Sequence, residues 1–473
     1  MFQTQSKWLF FLILIVAVSS INQIQARQMT LDSAINYAIA KNNDVKLAKL
    51  ELEKSKFAIK EAFGYALPSL DFTGQFSHFI EKPKMAFPDF NAMLNNSVYG
   101  VMFKENLLPE DDSKFLPMDF VLQSFALANS YNAQLSLTQV LFSSTVFKGI
   151  SSSGIYKNLA EEALYGKISA AVLNTKRAFY GALLSKEVLN ITKASFENAQ
   201  QNFKSVKALQ SQGMVAEFDA IRAEVQVENI RPVILQMQNN YEVVLNNLKL
   251  VMGMDQSENL ELTGDLDYSE LPVPDRQEAI AAATKNNFDL KTLQTKRDFD
   301  EALIDLDIST YYPTLAAFGN YAFAGSADDF NFQNYRQSMV GLNFSINLFN
   351  GFRTTQKVQQ GHINVMKSDE SVNQLKEFII SQITTKISEI ERIKSNLEAQ
   401  ERNITLAQKA YNISNLRYKE GTGNQLEIEN ADLAMRQAKT NRLQSVFQYI
   451  SAYAELENLM GNLDAKYRKI KID

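Results

Sequence analysis

From about Lys376 to Gly461, side chains suited to a helix seam recur at alternating steps of three and four residues. On the way out, Ile380, Ile383, Ile387, Ile390 and Leu397 share one stripe. After Arg417-Tyr-Lys-Glu-Gly-Thr-Gly423 the stripe resumes with Ile428, Ala431, Met435, Ala438, Arg442, Ser445, Tyr449, Ala452, Leu456 and Leu459. This spacing keeps each set on one helical face, and a sustained seven-residue period predicts packing along a partner, as in a coiled coil. Two arms of roughly 38 to 42 residues would each be ~57–63 Å long, about twice the thickness of a bilayer core. Alanine and serine in the seam let the arms approach closely. A globular core rarely needs helices of this length.

Upstream the pattern changes. Thr30 is a plausible N-cap for a helix to Ala40, Lys41-Asn42-Asn43 interrupts it, and a second helix runs to about Tyr65. Beyond Pro68 the period falls to two. Leu70, Phe72, Gly74 and Phe76 alternate with Asp71, Thr73, Gln75 and Ser77, which predicts a strand at about 70–80. A long excursion with Pro83, Pro88, Pro109 and Pro117 leads to a second strand, 131–142. There Leu135, Leu137 and Leu141 form an apolar face that Gln139 interrupts. A helical hairpin over 153–253 follows, turning at Ser211-Gln-Gly213 and containing Pro232, which should bend its return arm.

The programme then repeats. Lys285-Asn286-Asn287 echoes Lys41-Asn42-Asn43, Tyr312-Pro313-Thr314-Leu315 echoes Leu67-Pro68-Ser69-Leu70, and Gly421 echoes Gly213. Strands are expected at 314–325 and 338–349, the latter alternating Val340, Leu342, Phe344, Ile346 and Leu348 with Gly341, Asn343, Ser345 and Asn347. A second hairpin, 357–461, closes the repeat. The expected organisation is a first repeat over 27–253, a linker over 254–275 marked by Pro272 and Pro274, a second repeat over 276–461, and a tail over 462–473.

Composition narrows the class. The chain has 473 residues, 45% hydrophobic and 21% charged, which is a folded composition. It has no cysteine, so disulfides, thiolate metal sites and a lipid-modified N-terminal cysteine are excluded. Lys7, the apolar run Trp8–Val18 and Ile24-Gln25-Ala26 predict a cleaved signal peptide over 1–26, with an uncleaved anchor as the alternative. Cleavage moves the formal charge from −5 to 47 − 53 = −6, which gives no reason to expect a nucleic-acid partner. No later stretch holds 18 consecutive apolar residues, so a membrane crossing would fall to the strands. Four tilted strands of about ten residues suit a bilayer but cannot close a barrel, and lipid tolerates no open edge. Oligomerisation into a closed ring resolves this.

The duplicated Leu/Tyr-Pro-Ser/Thr-Leu lead-ins and the Leu-Phe exits at Leu141-Phe142 and Leu348-Phe349 carry a resemblance to the TolC-like outer-membrane efflux protein family. So do the hairpin tips Gln212-Gly-Met-Val-Ala-Glu-Phe-Asp-Ala-Ile-Arg-Ala223 and Tyr418-Lys-Glu-Gly-Thr-Gly-Asn-Gln-Leu-Glu-Ile-Glu-Asn-Ala431. The likeness covers the mature chain almost end to end. It implies an α+β membrane protein, internally duplicated, with four strands per chain in a shared trimeric twelve-stranded barrel. A long α-helical coiled-coil tunnel would continue that barrel into the periplasm. The implied role is the outer-membrane conduit of a tripartite efflux or type I secretion system, with a periplasmic adaptor and an inner-membrane transporter as partners. A periplasmic coiled-coil scaffold or adaptor without a pore is the rival, which leaves the four amphipathic strands unexplained.

By the same resemblance the tips dock the adaptor and gate the tunnel: Gly213, Met214 and Val215 on one, Tyr418, Gly421, Thr422 and Gly423 on the other. The plainer alternative is that the glycines only turn the chain. Where the resemblance implies acidic residues one and two turns before the tip tyrosine, this chain has Asn412 and Asn415, with Lys204 and Lys207 at the repeat-related positions. A polar constriction using these, with Arg417 and Glu420, replaces an acidic ring; solvated helix faces are the alternative. The excursion before the second strand would face outside, as an exit-narrowing segment or a tolerated insertion. His78 and His362 are the only histidines, and no metal-spaced cluster, phosphate loop or catalytic triad is evident, so neither cofactor nor catalysis is expected.

Overall fold

The computed structural model describes residues 27–463 and 465–467; the expected signal peptide lies outside the described residues, as does most of the tail's end. The chain divides into two compact units, one built from residues up to 59, 152–304 and 359 onward, the other from 60–151 and 305–358.

The second unit is organised by one antiparallel sheet in the order β2-β5-β7-β8, where β2 is Ser69–His78, β5 Asn129–Ser143, β7 Thr314–Ala327 and β8 Gln333–Ser345. The two repeats thus meet in mid-sheet, where β5 pairs with β7, leaving β2 and β8 as edges. Register sorts the faces. Phe72 pairs with Leu135, Leu135 with Tyr321, Leu137 with Gly319, and Gly319 with Val340. Directly opposed partners share a face, so this side is apolar. The other side carries Thr73 opposite Gln134, Gln134 opposite Ala322, and Ala322 opposite Gln337. Gln139, the polar residue that interrupts the apolar pattern, sits at a β-bulge between Val140 and Phe142. Its Nε2 donates to the carbonyls of Ala66 (2.9 Å) and Val140 (2.7 Å), which accounts for an amide at that position.

Two boundaries differ most from expectation, and the hairpin expected from 357 begins at Arg353. The last strand runs over Gln333–Ser345 instead of 338–349. Its outer half is disguised because Arg336 and Ser338 stand on the apolar face, and it stops at Ser345 because its partner β7 begins opposite it, at Thr314 just after Pro313. The helix expected from 153 begins at Ser144, where Ser143 Oγ accepts from the Val146 amide (3.4 Å) as an N-cap. Between β2 and β5 lie a ribbon of β3 (Met85–Pro88) and β4 (Phe120–Gln123) and a helix over Phe90–Lys104.

The first unit is helical. In chain order its helices are α1 (Leu31–Lys41) and α2 (Asn43–Gly64), then, taking the Phe90–Lys104 helix as α3, α4 (Ser144–Ser211) and α5 (Glu217–Met252). The second repeat supplies α6 (Arg276–Asn286), α7 (Phe288–Ile308), α8 (Arg353–Lys419) and α9 (Gln425–Leu459). The α8 seam buries Ile379, Ile383, Ile387, Ile390, Ile393 and Leu397, with Ile380 only half-buried. On α9, Arg442 lies at the seam's edge and reaches Glu401 Oε2 across the hairpin (2.6 Å). Pro232 sits inside a helix that runs unbroken through it. The linker joins the core: Leu260–Leu262 (β6) pairs in parallel with Arg27–Met29 (β1), and Tyr449 Oη accepts from the Leu271 amide (3.0 Å).

Each repeat also contains one copy of a clamp at the base of its hairpin. Asn42 Oδ1 caps the amide of Val45 (3.1 Å), while its Nδ2 donates to the carbonyl of Val251 (2.7 Å). Asn287 does the same to Leu290 (2.9 Å) and Leu459 (3.0 Å). Opposite them, Gly253 (φ 71°) and Gly461 (φ 69°) end the return arms in the left-handed region. A Cβ on Gly253 would strike the carbonyl of Lys41, and one on Gly461 that of Asn286. The structural counterpart of Asn42 is therefore Asn287, one residue later than the Lys-Asn-Asn triplets suggest.

Candidate functional site at the hairpin tips

Both tips turn by the same device. Gly213 (φ 75°) and Gly421 (φ 73°) take the left-handed conformation that ends a helix. The amides after them reach back, Met214 N to Leu209 O and Thr422 N to Arg417 O, both 2.9 Å. A side chain at either glycine would be strained by about 1–2 kcal/mol.

The second tip is laced further. Arg417 donates to Thr422 O (3.1 Å) and pairs with Glu427 Oε2 (3.0 Å), and Thr422 Oγ1 donates to Arg417 O (3.2 Å). Asn424 caps α9 by accepting from the Glu427 amide (3.0 Å). Gly423 packs so close that a Cβ would lie 3.0 Å from Arg417 Cβ. The first tip has fewer ties: Ser211 Oγ donates to Ala208 O (2.7 Å), but Ala216 occupies the N-cap of α5 with no side-chain bond and Met214 is 69% exposed.

Tyr418 joins the two hairpins. Its ring packs on the small cluster of Val206, Ala220 and Ala223, with Phe203 and Val215 alongside, and burial pushes its hydroxyl pKa up. About one to three turns above, a polar layer follows between α4 and α9. Ser195 Oγ donates to Asp432 Oδ2 (2.5 Å), and Asn202 Nδ2 to Gln425 Oε1 (2.7 Å). Asp432 and Gln425 are buried; Asp432 Oδ1, Gln425 Nε2 and Arg436 Nε make no hydrogen bond, Arg436 Nε lying 3.9 Å from Asp432 Oδ2 as an ion pair. Asp432 and Gln425 border a cavity of about 20 Å³ together with Asn198, Arg222, Tyr411 and Glu429, enough room for a single water.

The expected aperture residues are not gathered in one place on a single chain. Lys204, Lys207, Asn412 and Glu420 are exposed, Lys207 lying over the Phe203 ring (5.3 Å). Asn412 accepts from Gln408 (3.2 Å), and Asn415 donates to its own helix at Tyr411 O (3.1 Å). Glu420 sits in the turn itself, and the next acid, Glu427, lies after it and pairs with Arg417. Sequence reasoning missed Glu427, Asn424, Ser195 and Asp432. The Asn-x-x-Glu spacing at Asn424 is a capping signal that could have found the first two; the 237-residue separation of Ser195 and Asp432 hides the others. Among the described residues no group of His, Asp and Glu could hold a metal, and no helix is long and apolar enough to cross a membrane.

Comparison with known proteins fits this architecture. The family model described as outer membrane efflux protein matches residues 123–254 and 279–462. The outer membrane protein TolC of Salmonella enteritidis is 21% identical over 346 residues, covering 71% of this chain and 70% of that protein. The alkaline protease secretion protein AprF of Pseudomonas aeruginosa is 19% identical over 340 residues, with 71% and 70% covered. The crystal structure of the Campylobacter jejuni CmeC outer membrane channel superposes with a TM-score of 0.70 at 15% identity, covering 92% of this chain and 86% of that one. The fold class is that of these α+β channels, with membrane strands and a periplasmic helical tunnel. With well over half of its length matched, the chain belongs to the outer membrane efflux protein family and is an outer-membrane channel of an efflux or secretion system.

Proposed function

We propose that the chain works as a homotrimer, a passive conduit that accepts substrate from an inner-membrane transporter through a periplasmic adaptor and releases it outside. The carrying observation is the four-stranded sheet with two unpaired edges and one apolar face. In lipid such edges must be paired, and β8 of one copy against β2 of the next closes the ring without new elements. Three copies supply three times four strands, the twelve of a shared barrel. Exposed apolar residues on the hairpins, Phe218, Ile221 and Val225 on α5 and Leu406, Ile413 and Leu416 on α8, support packing between neighbours in the tunnel as well.

In this reading the tips around Gly213, Met214, Val215, Gly421, Thr422 and Gly423 receive the adaptor, and Tyr418 holds the two hairpins in the closed arrangement. Lys204, Lys207, Asn412, Asn415, Arg417 and Glu420 face the aperture once three copies are assembled. No covalent step is needed, because the partner transporter supplies the energy. Single-channel recording of the purified protein in planar bilayers tests this. Small, long-lived steps are expected, and Asn412→Asp with Asn415→Asp should raise cation preference. A folded protein that neither trimerises nor inserts would sink the reading.

A further inference from the structure

We propose that the excursion between β2 and β5 is an interaction surface for second copies of this chain: α3 helices of neighbouring chains meet over the outer mouth of the barrel as an apolar cap. The inference rests on the homotrimer proposed above.

Of the described residues 79–128, Ala92 alone is a buried apolar side chain. Phe90, Leu94, Val98 and Val101 are all exposed, and their steps of four, four and three place them along one face of α3. Phe120 and Leu122 on β4 are exposed as well. One helix and a two-stranded ribbon that bury a single alanine have no core of their own, and an isolated ribbon is at best marginal in water. Yet the excursion is internally specific. Asn96 exchanges two bonds with the backbone of Leu116 (2.8 and 2.7 Å), Asn95 donates to Lys114 O (2.7 Å), and the Phe87 and Phe125 rings meet edge to face at 4.8 Å. A preformed surface with its apolar face uncovered marks an interaction site.

Three observations point to a second copy as the occupant. The excursion springs from β2, an edge strand that must meet its neighbour in the closed ring. Both of its legs are tied to the β7–β8 turn: Lys82 pairs with Asp328, which also accepts from the Ala128 amide (2.9 Å), and Asn129 Nδ2 donates to Asp328 O (3.2 Å). This surface is thus fixed at the end of the sheet where β2 leads into the excursion and β7 turns into β8. Charge agrees. No charged residue lies between Phe90 and Phe103, so symmetry-related α3 helices meet without repulsion. Residues 79–128 carry four lysines and seven acids, 4 − 7 = −3, which disfavours anionic lipid headgroups.

The chain has no cysteine, so one introduced thiol is unambiguous. Purified Val98→Cys should form disulfide-linked dimers on mild oxidation, while sedimentation of the same sample reports the trimer. Val98→Asp, at an exposed position, should raise single-channel conductance about twofold or more by wetting the cap. A trimer that gives neither dimer nor conductance change overturns the cap and leaves the conduit standing. A monomer overturns both. Ready labelling of Val98→Cys by an impermeant maleimide in the purified trimer, with protection on whole cells, would assign the surface to lipid or another surface protein and overturn the proposal.

Discussion

The two hairpin tips share a turn and differ in almost everything around it. The second is laced by Arg417, Thr422, Asn424 and Glu427; the first has an uncapped α5 and an exposed Met214. Local stability is not uniform within a fold, and segments that open are those with few ties. The contrast makes the second tip the rigid member and the first the adaptable one. Tyr418 is the point where the rigid tip restrains the other.

Tyr418→Ala should break this arrangement most. Removing a half-buried ring from Val206, Ala220 and Ala223 costs about 1–2 kcal/mol, below the full-burial range, so amides of 203–223 should exchange on the order of tenfold faster. Unchanged protection there would mean the tips are uncoupled. Arg417→Ala comes next, at about 1 kcal/mol for a half-exposed pair and one hydrogen bond. Exchange at 420–424 should then approach that at 213–216; if it stays slow, the lacing is decorative. Ala216→Ser should sharpen the test from the other side, since an N-cap contributes roughly 0.5–1 kcal/mol and slows exchange at Phe218 and Asp219. The smallest effect is ionic. Raising salt to about 1 M should quicken exchange at the second tip and leave the first unchanged, because the Arg417–Glu427 pair is screened.

Much of the fold is legible in the sequence because its patterns are long. Heptads over tens of residues and alternating strands in duplicate survive local exceptions, and the exceptions have identifiable causes. Gln139 breaks an apolar face because a bulge there needs an amide, and Arg336 hides half a strand because that end of β8 carries polar side chains on the otherwise apolar face. Three-residue β1 and β6 are too short to show a period at all. The site is less legible. Turn glycines announce themselves by type, but the pairing of Arg417 with Glu427 runs across a turn, and that of Ser195 with Asp432 crosses 237 residues. No periodicity encodes either.

The duplicated asparagine–glycine clamp has a mechanical consequence. It pins the last turn of each return arm, while the other end of α5 lies 36 residues away, at the tip. A rod of that length is ~54 Å long, so it acts as a lever: one degree of tilt about the clamp moves its free end by about 0.9 Å. A few degrees of rotation at the base would displace the free end by several ångströms with every helical hydrogen bond intact.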